Sequence, residues 1–223
     1  MQFTFHEKAK ETSLKIDGDL HKYLFKVRRH DASKNIYFRN LQDNFIYEYK
    51  IVSTSRRDTT LELVSQEEKI IKPQKDLHIG WCIIDFKNIE KVLASLNEIG
   101  VSKITFISCE YSQRNTKINY DKLNKILVNS SSQSGRSNII VFDEVDSLEE
   151  FISLYPDTYM FNFSSNNIQD SKDDIKTIVL GCEGGFSTLE VASLTQDKIV
   201  GVDSNMIMRS ETAIISIASK VLF

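Results

Sequence analysis

The chain has 223 residues, enough for one large or two small domains. Its 41% hydrophobic content is that of an ordinary globular protein, and a net charge of −3 excludes a polycation that grips nucleic acid along its whole length. The opening MQFTFHEKAK lacks the apolar core of a signal peptide, and no run approaches membrane-spanning length, so a cytoplasmic protein with no membrane partner is expected.

Charge is split unevenly along the chain. Residues 1–72 hold 14 Lys and Arg against 11 Asp and Glu, whereas residues 73–223 hold 14 against 20. A polyanionic partner would meet the first part first. That part reads as all-β. Phe3 and Phe5 alternate with polar neighbours, and residues 14–16, 35–38, 45–52 and 59–64 have strand character with turn residues between them. Several short strands at this spacing indicate a small barrel. Residues 19–29 are the exception: Leu20, Tyr23, Leu24 and Val27 recur at helical spacing, and the helix ends in the basic run Lys26, Val27, Arg28, Arg29. Residues 65–76 (SQEEKIIKPQKD) are charged, carry one of two prolines and read as a linker.

From residue 77 the pattern changes to alternating strands and helices. Strands are expected at 77–84, 103–108, 139–142, 158–163, 177–180 and 198–203. Helices are expected at 88–99, 120–132, 147–154 and 214–223. Gly100 stops the first helix, and residues 133–136 break the second. The alternation indicates a parallel sheet covered by helices. Residues 109–117 and 164–176 read as polar loops. Cys82, Cys109 and Cys182, and the four histidines, lack metal-ligand spacing, so no metal site is expected and the cysteines read as reduced thiols.

Two segments near the carboxyl end carry the chemistry. Residues 177–187 read TIVLGCEGGFS: a buried strand, a glycine-rich turn, then Ser187-x-x-Glu190, which is a capping box opening a helix. In α/β folds such a turn meets a ligand at the carboxyl end of the sheet. A phosphate cradle would want a lysine. This turn has none and carries Glu183, which suits a ligand offering hydroxyls, an amine or a positive charge. The same residues also fit an ordinary tight turn. The second unit, 198–203, runs into SNMIMRSETA, where Asn205, Met206, Ile207 and Met208 precede Arg209. Apolar residues in a loop must be covered by protein or by a flat ligand.

GCEGGFS-x-x-E followed by MIMRSETA resembles the GPEGGFS-x-x-E and ILR-x-ETA motifs of the bacterial 16S rRNA (uracil-N3) methyltransferases, members of the trefoil-knot or SPOUT methyltransferases. Gln133-Ser134-Gly135-Arg136, Glu98-Ile99-Gly100-Val101 and Arg114 also match family positions. Two departures are Cys182, where proline is usual, and Asp203, where glycine is usual. The resemblance implies an α/β fold. A PUA-like β-barrel RNA-binding domain over residues 1–70 would precede a knotted parallel-sheet SPOUT domain over 71–223.

It also implies S-adenosyl-L-methionine as cofactor, held bent among three loops: after Phe163, around 181–185 and around 202–208. Backbone groups at Leu180, Gly181, Gly184, Val202, Met206 and Met208 would read the adenine edge and ribose, with Glu183, Asp203, Asn205 and Ile207 completing the set. The implied reaction is methylation of uridine N3 in 16S rRNA, within the 30S subunit. Arg136 would stabilise negative charge on the uracil or anchor the target phosphate. Arg209 and Glu211 would contact the base, or pair with each other and shape the loop. Lys26, Arg28, Arg29 and Arg114 are candidate RNA contacts, since cationic side chains bind phosphates without reading sequence. A helix end would favour the same cations on dipole grounds. Family members are homodimers, so a homodimer is implied. Two other functions stay open: a SPOUT enzyme acting on another RNA nucleotide, and an RNA-binding ribosome assembly factor without turnover.

Overall fold

The computed structural model describes residues 2–113 and 116–223, which fall into two compact units. One comprises residues 1–72 with 131–138, and the other residues 73–130 with 139–223.

The first unit is built on a five-stranded sheet. Strands β1 (Thr4–Phe5), β2 (Ser13–Asp17), β3 (Ile36–Arg39), β4 (Phe45–Thr54) and β5 (Asp58–Glu68) lie in the order β1-β3-β4-β5-β2. All neighbours are antiparallel except β1 and β3. Alternation sends Leu14, Ile16, Phe38, Tyr47, Tyr49 and Leu61 into one core. Strand β5 is longer than its apolar pattern suggests. Residues 65–68, expected as the start of a linker, pair with residues 45–48 of β4, because backbone hydrogen bonds continue where side-chain alternation has stopped. Buried Arg39 secures this end of the unit. Its Nη1 donates to the Asn44 carbonyl at 3.2 Å and its Nη2 to that of Lys69 at 2.7 Å. The expected helix at 19–29 is a short α1 (Gly18–Lys22) followed by a π-helical turn, Tyr23–Val27.

The second unit carries an all-parallel, six-stranded sheet. Its strands are β6 (His78–Cys82), β7 (Lys103–Ile107), β8 (Val141–Val145), β9 (Tyr159–Phe161), β10 (Thr177–Leu180) and β11 (Ile199–Val200), in the order β11-β9-β10-β6-β7-β8. Helices α2 (Phe86–Ile99), α3 (Tyr120–Ser134), α4 (Leu148–Leu154), α5 (Ile168–Ser171), α6 (Thr188–Ala192) and α7 (Ser210–Leu222) connect and follow them. Helix α3 runs from this unit into the 131–138 segment of the other. Asp85 caps α2 by accepting from the Lys87 N–H at 2.8 Å, and Gly100 ends it in the left-handed region at φ 116°. Helix α7 packs on α2 and β10 through a face that includes Ala213, Ile214, Ile217 and Val221.

Strand β8 spans Val141–Val145 where a strand is expected at 139–142, and three further differences concern this unit. Helix α5 lies within residues 164–176, too short for its periodicity to register. Helix α7 begins at Ser210, one turn before its apolar repeat starts. Cys82 and Cys109, expected as free thiols, are joined in a disulfide. The register places Cys82 opposite Ile107, and Cys109 follows two residues later; the pairing across 27 residues is invisible without that register. Cys182 is a buried free thiol.

Gly80 sits at the centre of the sheet, where a Cβ would lie 2.7 Å from Phe151 and 2.8 Å from Ile107 and Val179. Gly80→Ala should therefore cost about 1–3 kcal/mol through overpacking, read as a lower urea midpoint; an unchanged midpoint would contradict this packing. His78 lies beneath Phe151 and Tyr155, with Nε2 2.8 Å from Thr105 Oγ1. Burial pushes its pKa down to about 4 from its ordinary 6.5, with Lys103 adding to the shift and Asp143 opposing it. The unfolded chain thus takes up the proton first as pH falls. The stabilisation is complete above pH 6.5 and is lost as pH falls through 4. Unfolding free energy should drop across that window, and His78→Gln should flatten the drop relative to the parent.

Candidate active site

Strands β9, β10 and β11 are adjacent and parallel, so their carboxyl ends emerge side by side. The loops that follow make the three walls of one cavity of about 420 Å³, formed by residues 161–164, 180–186 and part of 202–208, with Ser210 and Ala213 of α7 beside them.

Each wall is shaped by close backbone approach. A Cβ on Gly181 would fall 3.1 Å from the Gly185 backbone, and one on Gly184 would fall 2.9 Å from Tyr111 Cβ. Gly185 adopts φ 71° and donates its N–H to the Cys182 carbonyl at 3.0 Å, closing the turn. The turn then enters α6 through the expected capping box. Ser187 Oγ accepts from the Glu190 N–H at 3.3 Å, and Glu190 Oε2 accepts from the Ser187 N–H at 2.8 Å. The other oxygen of Glu190 accepts from the Glu110 N–H at 2.9 Å, which ties in the loop after β7.

Gly201, just beyond β11, leaves no room for a side chain: a Cβ would lie 2.8 Å from the Asn162 carbonyl oxygen and 2.9 Å from that of Ser164. The wall after β9 is held to the β11 exit by Ser164 Oγ donating to Ile199 O at 2.9 Å and by the Gly201 N–H donating to Asn166 O at 2.8 Å. One hydroxyl joins the other two walls. Trp81 Nε1–H donates to Ser210 Oγ at 2.9 Å, and Ser210 Oγ–H donates to the Gly181 carbonyl at 2.7 Å.

Eight expected cofactor residues line the cavity: Leu180, Gly181, Glu183, Gly184, Val202, Met206, Ile207 and Met208. Asp203 and Asn205 belong to the same loop but are exposed and do not line it. Glu183 is the one charged side chain among the lining residues, and no Lys or Arg is among them. Burial raises the Cys182 pKa, so this thiol stays protonated at neutral pH; its sulfur lies 3.7 Å from the Gly185 carbonyl oxygen.

The expected catalytic residues do not line the cavity. Arg209 follows the third loop directly and its side chain is 84% exposed, with Nη1 4.0 Å from Glu211 Oε1. Glu211 is largely buried, and its Oε2 has no hydrogen-bond partner among the described residues. Arg136 falls in the first unit, where it is buried and its Nε donates to Asn138 Oδ1 at 2.7 Å. Lys26 in the π-helical turn and Arg28 and Arg29 directly after it are exposed. Arg28 Nε donates to the Tyr23 hydroxyl at 2.8 Å, and Arg29 takes φ 51°. Arg114 lies outside the described residues.

Residues not singled out from sequence also line the cavity, among them Phe161, Asn162, Phe186 and Ser210. Ser210 and its partner Trp81 are 129 residues apart, and no local pattern signals their bond.

The sequence model for an RNA methyltransferase domain matches residues 72–222. The chain is 34% identical over 222 residues to the ribosomal RNA small subunit methyltransferase E of Helicobacter pylori (strain J99), covering 98% of each chain. It is 26% identical over 207 residues to the protein of the same name from Aquifex aeolicus, covering 87% of this chain and 88% of that one. Among solved structures, the small subunit methyltransferase E of Neisseria gonorrhoeae, bound to S-adenosyl methionine, superposes with a TM-score of 0.79 at 14% identity, over 98% of this chain and 95% of that one. At that identity the likeness concerns the fold: the expected SPOUT-type parallel sheet is present, and the expected PUA-like barrel is an open five-stranded sheet. By sequence match along nearly its whole length, the chain belongs to the RNA methyltransferase family that contains the small-subunit rRNA methyltransferases E.

Proposed function

We propose that this chain transfers a methyl group from S-adenosylmethionine to N3 of a uridine in the 16S rRNA of the small ribosomal subunit, and that it acts as a cytoplasmic homodimer. The observation that carries this reading is a three-walled cavity at the carboxyl ends of β9, β10 and β11, with an acidic, lysine-free glycine turn, in a chain of this family.

The residues present suit the cofactor. About 420 Å³ falls within the range of about 300–1,000 Å³ usual for small-molecule sites. Leu180, Met206, Ile207 and Met208 offer apolar surface for a purine, the glycine turn offers backbone groups for its edge, and Glu183 offers a carboxylate to a hydroxyl or a cation. When bound, S-adenosylmethionine supplies an electrophilic methyl group on a positively charged sulfur. The protein's share is to hold uracil N3 in line with that methyl and to favour loss of the N3 proton. Arg209 is the best-placed group for stabilising negative charge on a uracil oxygen, because it is exposed directly after the third loop. Glu211 positions Arg209. Arg136 is the second candidate for charge stabilisation, or anchors the RNA. Lys26, Arg28 and Arg29 bind RNA phosphates from the first unit, with Arg114 a further candidate contact.

The homodimer reading rests on exposed apolar side chains in the second unit. Phe163, Leu189 and Phe223 are each 79–82% exposed, apolar surface that a second copy of the chain would cover. The parent should sediment as a dimer at micromolar concentration, and Leu189→Glu should shift it towards monomer; a monomeric parent would contradict the reading.

The activity is tested by incubating the protein with methyl-labelled cofactor and 30S subunits from cells lacking the gene. Label should appear on N3 of a single uridine, and Arg209→Ala should lower kcat by about 10²–10³ with little change in cofactor affinity. Label on another nucleotide would retain the enzyme class and overturn the substrate. Tight RNA binding without transfer would favour an assembly factor.

A further inference from the structure

Trp81, Ser210 and Gly181 are bonded in series: a buried indole, a buried hydroxyl and a loop carbonyl, joining the middle of the sheet to two walls of the cavity. Trp81 is fully buried on β6, directly across from Leu180 at the end of β10. Gly181 is the first residue of the glycine turn. Ser210 is the first residue of α7, and the 202–208 loop ends just before it. The hydroxyl accepts from one partner and donates its only proton to the other, and Ser210 is only 6% exposed.

We infer that Ser210 and Trp81 are positioning residues that set the spacing between the glycine turn and the 202–208 loop, and so determine affinity for the cofactor proposed above. The inference rests on that reading for the identity of the ligand, but the clamp itself does not depend on it. Gly181 has no side chain with which to fix its own peptide, and the loop before α7 has no side-chain cap to hold it. The Ser210 hydroxyl supplies both restraints. The Trp81 indole fixes where the hydroxyl points, because an indole N–H can only donate and the oxygen must turn its lone pair towards it. The remaining proton then lies on the Gly181 side. Without the hydroxyl, a buried N–H and a buried carbonyl lose their partner together, and the turn is free to drift from the geometry that a rigid ligand needs.

Calorimetric titration with S-adenosylmethionine and amide exchange at Gly185, whose N–H closes the turn, test this in four variants. Ser210→Ala should weaken cofactor binding about tenfold and raise KM for the cofactor while leaving KM for RNA unchanged. It should also speed Gly185 exchange in the ligand-free protein. Ser210→Thr, which keeps the hydroxyl, should recover most of both effects. Trp81→Phe removes the indole N–H with part of the ring and keeps the Ser210–Gly181 bond, and should weaken binding about two- to threefold. The double variant should be no worse than Ser210→Ala, because both changes act through one hydroxyl. A folded Ser210→Ala protein that binds the cofactor as the parent does, or Gly185 exchange at the parental rate, would overturn the clamp. A parent that binds no cofactor while Ser210→Ala still speeds Gly185 exchange would overturn the functional reading and leave the clamp standing.

Discussion

Parallel pairing of three very short strands is the constraint on which this protein depends. Strands β9, β10 and β11 contribute three, four and two residues, yet because they are neighbours running the same way, three separate chain segments leave the sheet together. A ligand pocket then needs no dedicated wall: the exits are the walls. What remains is to bring those exits close enough, and glycine does this. Gly201 lets the β11 exit touch the carbonyls of Asn162 and Ser164, and Gly181 lets the glycine turn fold onto its own far end. A side chain at Gly201 would push two walls apart, and one at Gly181 would press the turn away from its own far end.

The chemistry of the cavity follows from what those walls leave exposed. Glycine turns at the ends of parallel strands commonly cradle phosphate, using backbone N–H groups and a lysine. Here the turn has a glutamate, the walls hold no cation, and apolar side chains of the third loop face the same space. That combination repels a pyrophosphate and accepts a neutral purine joined to a positive centre. In the proposed function, the catalytic demand is met from outside the pocket, by cations that approach a nucleic-acid substrate and not the cofactor.

Much of this was legible in the sequence, and the reasons are local. The β10 strand at 177–180 is β-branched and bounded by a glycine, and the Ser187–Glu190 spacing names its own capping geometry, so both appear where their residues indicate. The three-loop arrangement followed from the resemblance carried by two motifs. What could not be read needed long-range register. The Cys82–Cys109 bridge exists because β6 and β7 pair with Cys82 opposite Ile107. The Trp81–Ser210 bond spans most of the second unit. Residues 65–68 extend β5 through backbone pairing that their charged side chains conceal. Arg136, read from sequence as an active-site group, is engaged with Asn138 in the first unit.

The most direct test is a crystal structure of the protein grown with S-adenosylmethionine. The account predicts the adenine between the glycine turn and the 202–208 loop, with backbone contacts at residues 180–184 and the sulfonium methyl open towards solvent on the side of Arg209. Ligand density in another crevice, with residues 161–164, 180–186 and 202–208 left empty, would contradict it.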